Sequence, residues 1–201
     1  MQLGAFFREP KQLALLASHV LPELARTGHR RVRLWSADCG AGEDAWSLAI
    51  AIEEADLPAL AVDIVATDGD RRALAAAAAA VYRDDQMTGV SPERRRRHFV
   101  RGVGPRRGLW RVIAPLRDRV ELSELDLAGP WPSDPPSERA FDAVFAPVAG
   151  LAPTEAHRLA YRLARVLAPG GALFLGRSPG VPDAVPGLAP YAPGVFRKRA
   201  G

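Results

Sequence analysis

The chain has 201 residues, 48% hydrophobic and 25% charged, the make-up of one ordinary globular domain with enough apolar side chains for a full core. Its formal net charge of +4 is modest, only Lys11 and Lys198 of 27 basic residues are lysine, and no basic–aromatic interleaving suggests a nucleic-acid partner. A single cysteine, Cys39, excludes an internal disulfide framework and a cysteine-based zinc site, and the four histidines lack ligand spacing.

The longest uncharged stretch, Ala184 to Phe196, is interrupted by three prolines and falls short of the roughly 18 apolar residues of a membrane span. Glu9 and Lys11 come too early for a secretory leader, so a cytoplasmic setting without membrane insertion is expected.

In chain order, Glu9-Pro10 opens a helical pattern with Leu13, Leu16, Ala17, Val20 and Leu24 on one face, which Pro22 should kink or end. Arg31 to Ser36 reads as a strand, Ala37 to Gly42 as a small-residue turn and Asp44 to Ala55 as a helix. Val62 to Ala66 is a second strand ending at Thr67-Asp68, and Arg71 to Val81 is an alanine-rich helix. Strand, turn, helix, strand, helix is the order that builds a parallel sheet.

Ser91-Pro92-Glu93 begins a short helix to Phe99 whose arginines, Arg94 to Arg97, read as a solvated face. Gly102 to Gly108 is turn-rich, Leu109 to Ile113 suggests a small β excursion, and Val120 to Leu125 rejoins the sheet. A proline-rich loop, Gly129 to Pro136, precedes a strand at Phe141 to Phe145. Thr154 is placed to cap a helix with Leu159, Leu163, Val166 and Leu167 in one stripe and Arg158, Arg162 and Arg165 facing away. Pro169-Gly170-Gly171 stops it, Ala172 to Leu175 is the next strand, and Val195 to Arg197 is expected to close the sheet as an edge strand. The four tryptophans read as packing residues.

The chemistry gathers at the first turn. Gly40 and Gly42 carry no Cβ and let backbone approach a ligand closely. Glu43 opens the following helix, where it repels a pyrophosphate and welcomes an amino group, and Asp68 ends the second strand, placed for ribose hydroxyls. These carboxylates favour S-adenosylmethionine over a dinucleotide.

Leu167-Ala168-Pro169-Gly170-Gly171-Ala172-Leu173-Phe174-Leu175 resembles the helix-to-strand passage of class I methyltransferases. More specifically, Ala5-Phe6-Phe7-Arg8, Leu34-Trp35-Ser36-Ala37-Asp38-Cys39-Gly40-Ala41-Gly42-Glu43-Asp44-Ala45-Trp46-Ser47, Ala66-Thr67-Asp68 and Phe174-Leu175-Gly176-Arg177-Ser178 resemble, in order, the CheR family of chemoreceptor glutamate methyltransferases. The resemblance implies an α/β class I methyltransferase fold, Rossmann-like, with a mostly parallel seven-stranded sheet and a small β-subdomain inserted at residues 99–119 of a single 1–201 domain. It implies S-adenosylmethionine as cofactor, S-adenosylhomocysteine as product, and a protein substrate such as a chemoreceptor cytoplasmic domain. Ala37 and Glu43 would hold the methionine portion, with Cys39, Gly40 and Gly42 lining the turn. Asp68 would hold the ribose, and Asp126 and Leu127 would flank the adenine. Arg8 would lie beside the transferable methyl, binding cofactor and serving catalysis.

The departures are local. Where the family has an arginine, an asparagine and an active-site tyrosine after the fourth strand, this chain has Pro147, Val148 and Ala152. No counterpart of the family's N-terminal helical domain is expected ahead of Ala5, and the methyl is then expected to be exposed, with cover from a partner protein or a second copy. Retained methyl transfer to a protein carboxylate and a catalytically impaired binding module in a signalling complex are the two readings. A nucleic-acid methyltransferase is disfavoured, because Ala146-Pro147-Val148 lacks the Asn/Asp-Pro-Pro-aromatic signature of amino methylation.

Overall fold

The computed structural model describes residues 5–131 and 140–199. A helical segment opens it: α1 (Pro10–Leu15) passes through a π-helical stretch (Leu16–Val20) into α2 (Leu21–Arg26). Pro22 neither ends nor breaks this segment. It sits in the first turn of α2, where the wider π turn has already altered the hydrogen-bond ladder that proline cannot join. The buried stripe includes Leu21, whereas Ala17 is only half-buried, because the extra residue per turn rotates the apolar face.

The first strand, β1 (Arg31–Ala37), pairs in parallel with β2 (Ala61–Asp68), and α3 (Glu43–Glu54) connects them. β2 in turn pairs in parallel with β6 (Val120–Glu124), and on its other side β1 pairs in parallel with β7 (Phe141–Phe145). β8 (Leu167–Phe174) continues the parallel set after α7 (Pro153–Val166). The last two strands, β9 (Leu188–Ala192) and β10 (Val195–Lys198), are antiparallel, giving the order β6-β2-β1-β7-β8-β10-β9. This is the expected mostly parallel seven-stranded sheet. Two details differ from expectation. Val195 to Lys198 lies inside the sheet, and the edge strand is the proline-bearing β9, whose Pro190 lacks the N–H a central strand must donate. β8 starts at Leu167 and runs through the glycines, with a register shift against β7.

Period-2 alternation in β1 divides the core. Val32 and Leu34 pack beneath the α1–α3 side with Leu16, Val20 and Trp46, whereas Trp35 and Ala37 face α7, meeting Leu163 and Val166. Each of the buried valines and leucines among these contributes about 1.5–3 kcal/mol. Ala152, not Thr154, is the N-cap of α7, and its N–H donates to Glu155 Oε2 at 3.0 Å. The stripe of α7 is buried as expected, but Arg162 is drawn inward.

The alanine-rich helix α4 (Arg71–Ala79) is shorter than its composition suggests. Ala80 adopts a left-handed conformation and Val81 enters a strand. That strand, β3 (Val81–Arg83), joins β5 (Leu109–Val112) and β4 (Phe99–Arg101) in a separate three-stranded antiparallel sheet, so the sheet draws on residues 81–83 as well as on the 99–119 span. Between its strands lies α5 (Pro92–His98), and α6 (Ala114–Arg117) leads back to β6. Arg94 of α5 is half-buried where a solvated face was expected: it pairs with Glu54 (Nη2–Oε2 2.7 Å) and lies 4.0 Å over the Phe7 ring, while Arg96 and Arg97 are exposed. Residues 132–136 of the expected proline-rich loop lie outside the described residues. Among the described residues no helix is long and apolar enough to cross a membrane.

Candidate active site

Because β1, β2 and β6 run parallel, their C-terminal ends open on one side of the sheet, and the sequence-predicted residues meet there. Ala37 closes β1. The turn that follows is tied to β2 by backbone and side chain together: Cys39 N–H donates to Thr67 O at 2.9 Å, and Gly40 N–H to Asp68 Oδ2 at 2.7 Å. The other Asp68 oxygen accepts the Asp70 N–H at 2.8 Å. Asp68 therefore shapes the turn, beyond the ribose contact its position suggests. Gly42, at φ +99°, is the N-cap of α3, and a Cβ there would stand 2.6 Å from Trp46 Nε1 and 3.0 Å from Tyr82 OH. Gly40, at φ +56°, faces open space.

The electrostatics of the turn are acidic. Glu43, 4% exposed, has its carboxyl raised above the usual range mainly by burial. Asp38 is raised by burial first and by the Asp68 charge next. The Cys39 thiol is pushed up to about 12 by burial and then by Asp68 and Asp38, so it stays protonated at neutral pH and is no nucleophile.

Asp126 and Leu127 join this cluster through the backbone. Leu125 N–H donates to Asp68 O at 3.0 Å, so their loop leaves the sheet beside the end of β2. Asp126 is exposed, with Oδ1 accepting the Ala128 N–H at 2.8 Å, and Leu127 is half-buried.

Arg8 reaches the site by a strained turn. Phe7 stands at φ +55°, a conformation costing about 1–3 kcal/mol for a non-glycine residue. Several contacts hold it there. Phe7 N–H donates to Ser47 Oγ at 2.9 Å, and Phe6 packs edge-on against Tyr82 and Phe99 at 4.9 and 5.6 Å. The Phe6 carbonyl also approaches Gly89, where a Cβ would come within 2.2 Å. The turn aims Arg8 at α3, where its Nε and Nη2 pair with the two oxygens of Asp44. That hydrogen-bonded pairing raises the already high guanidinium pKa. Of five donor hydrogens, three remain for another group.

Beside Arg8 lies a cavity of about 100 Å³ lined by Gln12, Phe145, Pro147, Ala149 and Phe174. Phe145 and Phe174 stack at 4.1 Å and 5°. Of the three positions where the resemblance places polar family residues, Pro147 borders this cavity, Val148 is buried in the core, and Ala152 is exposed at the start of α7. Gln12, 3% exposed, is the residue sequence reasoning missed: its Nε2 donates to Gly176 O and Pro193 O, both at 3.1 Å, and its Oε1 accepts the Gly176 N–H at 3.2 Å. Asp44 and Ser47 lie within the quoted motif, but their partners 36 and 40 positions away left no local signal.

S-adenosylmethionine fits this donor set. The buried Glu43 and Asp68 and the more exposed Asp38 offer acceptors to an ammonium and to ribose hydroxyls, their carboxylates welcome a sulfonium cation, and open space over Gly40 admits backbone contact.

The sequence model of the CheR methyltransferase SAM binding domain matches residues 2–188. A chemotaxis protein methyltransferase of Klebsiella aerogenes is 35% identical over 181 residues, covering 88% of this chain and 59% of its own. Chemotaxis protein methyltransferase 1 of Pseudomonas aeruginosa is 38% identical over 182 residues, covering 86% and 64%. The Escherichia coli chemotaxis protein methyltransferase is 33% identical over 181 residues, covering 88% and 60%. The chain thus spans about three fifths of the length of these relatives. With the acidic turn, the parallel sheet and a family match over most of its residues, this chain belongs to the CheR methyltransferase SAM-binding domain family.

Proposed function

We propose that this domain transfers a methyl group from S-adenosylmethionine to a side-chain carboxylate on a protein, as chemoreceptor glutamate methyltransferases do. The observation behind this reading is that α3 begins directly at the glycine turn and carries the buried Glu43 there, while Asp44 and Ser47, in the same first turn or just past it, line the cavity beside Arg8.

The cofactor supplies a methyl already activated on a sulfonium. Glu43 takes the ammonium, Asp68 and its neighbour Asp38 the ribose, and Asp126-Leu127 the side of the adenine. The remaining donors of Arg8 orient an incoming carboxylate, for which a guanidinium fork is suited. A glutamate acceptor, with a pKa of about 4.3, is ionised at neutral pH and needs no general base. Alignment and exclusion of water are then what the protein must provide, and Phe145, Phe174 and Pro147 form the apolar wall for the second. A cavity of about 100 Å³ admits the end of one side chain, which suits a carboxylate presented by a larger partner.

The partner is a chemoreceptor cytoplasmic domain in a signalling system, with the 99–119 region as a small subdomain available for docking it. A cytoplasmic setting accords with the single free Cys39. The test is transfer of radiolabel from methyl-labelled S-adenosylmethionine to receptor-bearing membranes. Base-labile label released as methanol supports the proposal. Cofactor binding with no transfer to any receptor overturns it in favour of a binding module.

A further inference from the structure

The stripe pattern of α7 sends Arg162 to solvent, yet its guanidinium is turned the other way. Nη1 donates to Leu127 O at 2.7 Å and Nη2 to Gly129 O at 2.9 Å, and the same group lies 4.0 Å over the Trp131 ring. Trp131 meets Trp35 of β1 edge-on at 5.4 Å, and Trp35 Nε1 donates to Thr67 Oγ1 at 2.9 Å. A continuous chain of contacts therefore runs from α7 across the loop to β1 and the end of β2.

The loop has few internal supports. Within it, Ala128 N–H reaches Asp126 Oδ1 at 2.8 Å and Gly129 N–H reaches Asp126 O at 3.2 Å, and Leu125 N–H anchors its start to Asp68 O. Arg162 takes two carbonyls of this segment at once and stacks on its tryptophan, a combination that requires the planar fork of arginine. Both carbonyls are thereby turned toward α7, and the rest of the loop is left to its own Asp126 bonds.

We propose that Arg162 is a positioning residue for recognition of the base. It fixes the 125–131 loop so that its backbone and Asp126 present one set of hydrogen-bonding groups to adenine. This rests on the reading that S-adenosylmethionine binds with its adenine beside Asp126-Leu127. Arg162 is engaged by the loop's carbonyls and tryptophan, so it would act through the loop, and its effect should appear as lost discrimination between bases beyond any loss of affinity common to both compounds.

The experiment compares S-adenosylhomocysteine with S-inosylhomocysteine, in which the exocyclic amine of the purine becomes a carbonyl and N1 turns from acceptor to N–H donor, by calorimetric titration of the full chain. The unmutated protein should prefer the adenine compound by about tenfold or more, the usual size of a matched against a mismatched polar contact. In Arg162→Ala the preference should shrink to about threefold or less. Arg162→Lys keeps charge and stem, serves if the alanine variant does not fold, and should fall between the two. An undiminished preference in a folded variant overturns the proposal while leaving cofactor binding intact. Failure of the unmutated protein to bind S-adenosylhomocysteine overturns the cofactor reading and this proposal with it. Equal affinity of the unmutated protein for both compounds overturns the proposal alone.

Discussion

Asp68 accepts the Gly40 N–H at 2.7 Å, so the carboxylate expected to meet a ribose also closes the turn that would cradle the cofactor. Asp68→Ala should therefore do two things. It should weaken S-adenosylmethionine binding, and it should destabilise the ligand-free protein by about 1–3 kcal/mol, since two backbone N–H groups lose their acceptor. Denaturant unfolding without ligand separates these effects. Unchanged unfolding would confine Asp68 to ligand contact.

Burial, joined for Asp38 by the Asp68 charge, raises the Glu43 and Asp38 carboxyls, so the folded chain holds these protons more tightly than the unfolded chain does. A raised folded-state pKa contributes stability that is present below the unfolded value, about 4 for these groups, and is lost as pH rises through the folded one. The ligand-free protein should accordingly lose stability at these two groups as pH climbs from about 4 through their raised folded-state values. Glu43→Gln should flatten that fall and raise the melting temperature at neutral pH, while weakening cofactor binding about tenfold or more through loss of the ammonium partner. Melting curves across this pH range, with and without S-adenosylhomocysteine, check both halves.

Arg8→Ala should lower methyl transfer on the order of 10²-fold or more, because it removes the cation that would align the acceptor. Cofactor affinity should change within about threefold, less than the roughly tenfold effect of a lost buried contact. Because two donors of Arg8 are held by Asp44, Asp44→Asn should also reduce turnover, by loosening the fork. Single-turnover rates at saturating cofactor decide this. Full activity in Arg8→Ala would remove Arg8 from catalysis.

Gln12→Glu should be more damaging than Gln12→Ala. The alanine loses three hydrogen bonds, whereas the glutamate turns an acceptor toward the carbonyls of Gly176 and Pro193. We expect about 1–3 kcal/mol for the alanine and more for the glutamate, read by denaturant unfolding. The opposite ranking would mean that the amide orientation is not what ties these elements together.

The glycine turn and its flanking strand and helix were legible because alternation in Arg31 to Ser36 gives way to small residues and then to helical spacing, all local signals. The end of α4 was not, because Ala80 takes a left-handed conformation without the glycine that usually marks one, and alanine propensity ran past it to Val81. β9 was hidden by its proline, and the inward turn of Arg162 by a partner loop 33 and 35 positions away. The carboxylates of the site were readable from type and spacing. Asp44, Ser47 and Gln12 were not, since a polar side chain whose partner is distant in sequence resembles any surface residue.

The Gln12 clamp also bears on the order in which the molecule assembles. Its partners lie 164 and 181 positions along the chain, whereas Asp68 and Gly40 are separated by 28. Closing a long loop costs more entropy, and contacts of wide sequence separation form slowly. The glycine turn that would hold the cofactor can thus consolidate while β1, β2 and α3 come together, but the cavity beside Arg8 waits for the final hairpin to dock on the first helix. In a partly unfolded population, ligand binding should outlast the chamber in which the ligand would be used.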